Sequence, residues 1–147
     1  MSTYSFLDTN AALVGPGGVV NLGQGAAVAD EGITITPNED IDGMTIAADG
    51  TPMHSLHANK SSTVVVRLLK TSPVNQKLAQ MYAFQTAASS AHGQNTFSLS
   101  NSHTQDSVTC RLCAFKRAPD LTYAKEGGLI EWQFNAGIVD RTLGATT

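Results

Sequence analysis

Charge is what this chain has least of. Asp, Glu, Lys and Arg make up 14% of its 147 residues, where a globular domain ordinarily carries roughly a quarter. Ala, Ser, Thr, Asn and Gly take their place. The longest apolar stretches are about five residues, far below the ~20 of a spanning helix, so no membrane-spanning segment is expected. No basic stretch followed by an apolar one opens the sequence, so no secretory signal is expected either. Strong bases number nine against 12 acids, for a net charge of −3, and no basic cluster exceeds Lys116-Arg117. A protein that grips nucleic acid by its phosphates needs a basic patch, and that class is set aside. The length suits one domain that buries roughly two-thirds of its surface. Low charge with moderate hydrophobicity is also what large protein–protein interfaces select, since their centres are depleted of charge. A quiet neutral monomer is the competing reading.

Cysteine is scarce too. Cys110 and Cys113 are the only two, at the C-x-x-C spacing that metal and redox sites use. They fall in Ser107-Val108-Thr109-Cys110-Arg111-Leu112-Cys113-Ala114-Phe115, which reads as a strand, where side chains three apart point to opposite faces. The two sulfurs are therefore expected neither to share a metal nor to pair, and they read as reduced structural thiols. His54-x-x-His57 lies in a loop behind Pro52 with no Glu to complete a zincin-like pattern, and with His92 and His103 reads as ordinary loop histidine. No G-x-S-x-G elbow is present. Gly15-Pro16-Gly17-Gly18 is not a phosphate loop, because no Lys-Ser/Thr follows it and Pro16 lacks an N–H. Asp40 and Asp42 read as a solvated acidic turn. No catalytic residue, cofactor or metal site is expected, and the chain does not read as an enzyme.

What is present is organised around residues 61–101. Residues 61–70, with Val64-Val65-Val66-Arg67-Leu68-Leu69 at their centre, are β-branched and apolar and predict a mostly buried strand. Thr71-Ser72-Pro73 ends it and starts a helix, with Ser72 as N-cap and Pro73 at the first helical position. At about 100° per residue, Val74, Leu78, Met81, Tyr82 and Phe84 share one side of that helix, with Lys77 and Gln85 intruding at its edge. The opposite face is Gln76, Ala79, Gln80 and Ala83, with no charge on it. A helix that faces only water usually carries Lys and Glu, so this face reads as one that touches protein.

Around this unit the sequence predicts an extended segment over 3–14, the turn at Gly15-Pro16-Gly17-Gly18, and strands over 19–22, 32–37 and 44–47. Residues 49–60 read as a long exposed loop. Further strands follow over 96–100, 107–116, 121–125 and 129–141. In the last of them Ile130, Trp132, Phe134, Ala136 and Ile138 alternate with Glu131, Gln133, Asn135 and Gly137. Eight or nine strands and one helix predict a mainly β fold: two packed antiparallel sheets, a sandwich or barrel, flanked by a single helix.

Several stretches carry a resemblance. Thr3-Tyr4-Ser5-Phe6-Leu7-Asp8 with Val14-Gly15-Pro16-Gly17-Gly18 is similar to structural proteins of contractile-tailed bacteriophages. So are the run from Met44-Thr45-Ile46-Ala47 through Asp49-Gly50-Thr51-Pro52-Met53-His54-Ser55, the run Val66-Arg67-Leu68-Leu69-Lys70-Thr71-Ser72-Pro73, and the close Phe134-Asn135-Ala136-Gly137-Ile138-Val139-Asp140-Arg141. The similarity covers essentially all of residues 1–147 and resembles the tail tube protein family. It implies hexameric rings stacked into a hollow tube, with four strands per subunit joining into an inner barrel around a DNA channel. It also implies a long loop reaching neighbouring subunits or rings, and an outer face met by the tail sheath. The implied partners are further copies of the chain, sheath, tape measure and baseplate proteins, and DNA passing without specific contact. The implied location is the virion tail, assembled in the host bacterial cytoplasm.

The residues themselves place the assembly loop at about 40–61, with Asp40, Asp42, Met44, Met53, His54, Leu56 and His57 in it and no local core to bury its apolar members. Glu131 is the expected channel-facing acid, mid-strand on the polar side. Two other readings stand beside the tube. One is another tube-like virion component, in the baseplate or connector. The other is a monomeric β-sandwich binding module with Trp132 and the histidine loop as its ligand site.

Overall fold

Alternating apolar residues put one face of an extended chain out of water, and most of this sequence alternates. The computed structural model, which describes residues 9–22 and 28–144, has nine strands and one helix among the described residues. The strands are β1 (Thr9–Gly15), β2 (Gly18–Asn21), β3 (Val28–Pro37), β4 (Asp42–Ile46), β5 (Pro52–Leu56), β6 (Ser62–Leu69), β7 (Asn95–Asn101), β8 (Asp106–Arg117) and β9 (Leu129–Thr142). Helix α1 (Val74–Thr86) lies between β6 and β7. Seven strands form one antiparallel sheet in the order β2-β1-β7-β8-β9-β6-β3, and β4 and β5 form a separate two-stranded sheet. The fold is mainly β with one helix, as expected. Its two sheets are unequal: the large one holds the core together with α1, and the small one contributes nothing to it. The part of the first expected segment over residues 3–8 lies outside the described residues.

Register is set by rows of core side chains running across the large sheet. Val20, Leu13, Phe97, Cys110 and Val139 stand opposite one another in β2, β1, β7, β8 and β9. A second row joins Phe115, Phe134, Val64 and Ile35 across β8, β9, β6 and β3. A slip of one residue in any strand would turn its row to solvent, so each row fixes its neighbours. Phe115 anchors the aromatic centre, with ring centroids 5.6 Å from Tyr82, 5.9 Å from Trp132 and 4.7 Å from Phe134.

The helix starts one residue later than expected: Pro73 is its N-cap and Val74 its first residue. Pro73, at φ −67°, immediately precedes the first helical residue, and Ser72 Oγ accepts the Val74 N–H at 3.3 Å. Asn75 joins the helix to the sheet, donating to the Leu69 carbonyl at 2.9 Å and accepting from Trp132 Nε1 at 3.0 Å. The buried stripe is Val74, Leu78, Met81 and Gln85, with Tyr82 half-buried. This spacing of four, three and four residues leaves Phe84 about 100° off the stripe. Phe84 is 56% exposed instead of sharing the core, and its ring covers the β1–β2 turn at Gly17 (φ +96°), where an added Cβ would sit 3.3 Å from the ring.

Gln85, expected at the edge, is fully buried. It is fully partnered there: Gln85 Nε2 donates to Asn95 Oδ1 (2.7 Å) and to the Pro16 carbonyl (2.8 Å), and Asn95 Nδ2 donates back to Gln85 Oε1 (2.6 Å). Gly15 makes room for this pair, since a Cβ there would lie 1.9 Å from Asn95 Oδ1. One buried amide pair thus locks helix, β7 and the first turn together.

Three local expectations are corrected. Residues 121–125 form no strand; they lie in a loop in which Leu121 and Tyr123 are exposed and Lys70 Nζ sits 3.6 Å above the Tyr123 ring. Pro52–Leu56, read as loop, is a strand paired with β4. Its two faces are both wet, so its sequence lacks the contrast that marks a half-buried strand.

The third correction concerns phase. β8 carries a bulge at Arg111-Leu112, where two steps of β7 (Phe97 to Asn95) face three of β8 (Cys110 to Cys113) and Leu112 adopts φ +54°. Cys110 and Cys113 therefore both face the core, against the expectation of opposite faces. Opposite the bulge, β9 slips phase as well: Ala136 and Val139 are buried and Ile138 is not. Gly137 fits there because a Cβ would meet Leu112 Cβ at 3.2 Å.

The buried amide pair generates a prediction. Gln85→Ala leaves Asn95 and the Pro16 carbonyl without their partner inside the core and opens a cavity. It should lower unfolding free energy by about 2–4 kcal/mol, read from urea unfolding. A loss under about 1 kcal/mol would show that the pair does not hold these elements together.

Candidate functional site

The β4–β5 hairpin projects from the sheet with no buried residue along either strand. Met44, Ile46, Met53 and Leu56 are 57%, 53%, 61% and 86% exposed, so its apolar surface faces water. Cross-strand register sets Asp42 against Leu56, Met44 against His54 and Ile46 against Pro52. His54 Nδ1 lies 3.0 Å from Asp42 Oδ2, and the His57 ring packs over Gly43, where an added Cβ would come within 2.9 Å of Nε2. The six site residues Asp42, Met44, Met53, His54, Leu56 and His57 are thus gathered on or beside one hairpin, with Asp40 in the turn before it. Loose loop is replaced by a preformed arm.

The arm leaves the body at one end of β6 and β9. Val139 N–H donates to the Lys60 carbonyl there, and Asn38 N–H to the Ser61 carbonyl. At the other end of the same two strands, the 118–128 loop and α1 frame a cleft of about 400 Å3 lined by Gln76, Ala79, Tyr82, Leu121, Ile130 and Trp132, among others. Gln76, Ala79, Gln80 and Ala83 are all exposed on the outer face of the helix, and the first two are also walls of this cleft. Sequence periodicity found the uncharged face. It missed the cleft, because the opposite wall comes from a loop distant in sequence.

Trp132 and the histidines are not brought together. The Trp132 side chain is buried under α1 at the cleft end, whereas His54 and His57 belong to the arm. A ligand site built from both does not exist in this fold.

Glu131 stands on the face of the large sheet away from α1, exposed as expected, but it is not a lone carboxylate. Arg67 of β6 is its register partner, with Nε 3.4 Å from Glu131 Oε1. Arg111 and Asp140 form a second pair on that face at 3.0 Å. Between them this face carries mostly small polar side chains: Thr63, Ser98, Ser100, Thr109, Gln133 and Asn135.

A family model described as bacteriophage PhiTE tail tube protein matches residues 1–144. The chain belongs to this tail tube family. No curated protein matches the sequence. Among solved structures, a chain of the extended sheath–tube complex of an extracellular contractile injection system (PVC) is similar in fold, with TM-score 0.60 and 7% identity, covering 96% of this chain and 92% of that one. A chain of the sheath/tube terminator of the PVC system gives TM-score 0.57 at 7% identity, covering 97% and 98%. The tube-terminating cap of the anti-feeding prophage gives 0.54 at 8%, covering 98% and 95%. The fold is thus shared with these chains while almost every side chain differs.

Among the described residues of this tail tube protein no helix is long and apolar enough to cross a membrane, and no group of three His, Cys, Asp or Glu is close enough to hold a metal. Cys110 and Cys113 are free and fully buried. Burial pushes the Cys110 thiol up from 9.0 to about 12, with Cys113 beside it adding to the rise, and pushes Cys113 up to about 11. Raised values mean that the folded state holds these protons longer than the unfolded chain does. The stability this contributes is complete below pH 9 and is lost as pH climbs through the folded values towards 11 and 12. Neither thiol should react with a thiol reagent in the native protein at pH 8, and both should on unfolding. Cys110→Ala with Cys113→Ala should cost a few kcal/mol at most and should flatten the loss of stability at alkaline pH. Fast native labelling, or stoichiometric zinc that the double variant loses, would contradict this reading.

Proposed function

We propose that this chain is the subunit of a contractile tail tube: a single domain, with an assembly arm at residues 40–61, that closes into hexameric rings stacked around a channel for DNA. The match of the tail tube family to residues 1–144 carries the reading. Its work is assembly and passive conduction, with no covalent chemistry. Its partners are further copies, the sheath, the tape measure and the baseplate. It resides in the virion tail after assembly in the bacterial cytoplasm.

Three physical features support this. Among the described residues the large sheet ends in β2 and β3, each with a single neighbour, and ring closure would pair such edges between subunits. The arm exposes apolar surface that a monomer gains nothing by displaying. The sheet face away from the helix offers mostly small polar residues and ion pairs, with Arg117 beside Gln133 at its edge, so a polyanion finds no continuous row of cations to bind. The channel wall is assigned to that face, with Glu131 on it; Arg67 opposite keeps the local charge near zero.

The direct test is electron microscopy of the purified protein, where rings or tubes with a central hole are expected. Uniformly small, featureless particles across buffer conditions would favour the monomeric module. Deleting residues 50–58 should leave a folded monomer that no longer forms tubes, because none of these side chains is buried; normal tubes from the deletion would remove the arm from assembly. Glu131→Lys sets two cations opposite each other in every subunit. Tubes should still form, but DNA delivery by the phage should slow, and more so at low salt. Delivery at the unaltered rate at every salt concentration would take Glu131 off the channel.

A further inference from the structure

The arm and the cleft are both apolar, and the charges around them are opposite in sign. The arm is a narrow two-stranded ribbon with Met44, Met53 and Leu56 exposed along it. The cleft is a dominantly apolar slot beside α1, with Ala79, Leu121 and Ile130 among its walls. Their surroundings differ in sign. Residues 39–60 hold Glu39, Asp40, Asp42 and Asp49 against Lys60, a net charge of −3. The segments that frame the cleft, 70–77 and 118–128, hold Lys70, Lys77 and Lys125 against Asp120 and Glu126, a net charge of +1.

The two cannot meet within one subunit. The arm is rooted where β6 begins, at Ser62, and the cleft lies where β6 ends, at Leu69. Seven residue steps of strand separate them by roughly 23 Å, and no side chain of β4 or β5 is buried against the body.

We propose that the cleft beside α1 receives the β4–β5 arm of a second copy of this chain. The contact is heterologous, joining the arm end of one subunit to the cleft end of the next, so it can be repeated from copy to copy through an assembly. This rests on the tube reading above and assigns the arm its receptor. The uncharged face of α1 then has a physical reason: Gln76 and Ala79 border the slot into which an apolar ribbon is laid.

The test uses two full-length variants, Leu56→Cys and Ala79→Cys, mixed, assembled and treated with a mild oxidant. Cys110 and Cys113 are fully buried and do not compete. Held together in the assembly, positions 56 and 79 should give a linked peptide, read by mass spectrometry, about tenfold more abundant than from Leu56→Cys mixed with Ser98→Cys. Ser98 is exposed on the other face of the sheet and serves as the reference. Normal tubes with no 56–79 link, or with equal linkage to position 98, overturn the proposal and leave the tube reading standing. If the unsubstituted protein forms no assembly at all, the tube reading fails, and this inference with it.

Discussion

Val64, Val66 and Leu68 of β6 stand against Phe134, Trp132 and Ile130 of β9, and the geometry of the molecule depends on this ladder. Both strands are paired on both sides, β6 also with β3 and β9 also with β8, so neither can shift without moving two neighbours. The arm is rooted at the start of β6 and the cleft lies at its end. A rigid pair of strands therefore sets how far apart these two surfaces are held. Asn75 extends the same control to the helix, since it bonds to the last carbonyl of β6 and to the indole of β9.

The body buries its polar groups with care and the arm buries nothing. Gln85 and Asn95 satisfy each other inside the core, and no buried side-chain N or O among the described residues lacks a partner. By contrast, an isolated two-stranded hairpin is only marginally stable in water. The arm keeps its shape through its ladder, the His54–Asp42 contact and the stacking of His57 on Gly43, with its larger apolar side chains left wet. Such a surface is costly for a monomer and useful to an assembly.

Much of this was legible in the sequence, because the signals were local. The period of two in β6 and β9, the Ser72-Pro73 start and the Pro16-Gly17 turn each depend on residues a few positions apart. So did the uncharged helix face. What was not legible depended on partners distant in sequence. The bulge at Leu112 turned the two cysteines to one face and shifted the phase of β9, and only the pairing of β7 with β8 reveals it. Gln85 looked like an edge residue until Asn95 and the Pro16 carbonyl were seen to meet it. Leu121 and Tyr123 alternate like a strand but find no neighbour to pair with. The second strand of the arm was hidden because both of its faces are exposed. The cleft needed a loop and a helix separated by some forty positions, and no periodicity reports such a wall.

The central claim is that a self-sufficient body carries an arm whose apolar surface is buried only between subunits. Amide hydrogen exchange on the isolated subunit and on the assembled protein tests it most directly. The account predicts that β6 and β9 are protected in both states, while residues 42–56 exchange within seconds in the subunit and become protected on assembly. Protection of residues 42–56 in the isolated subunit, or equally fast exchange there in the assembly, would contradict it.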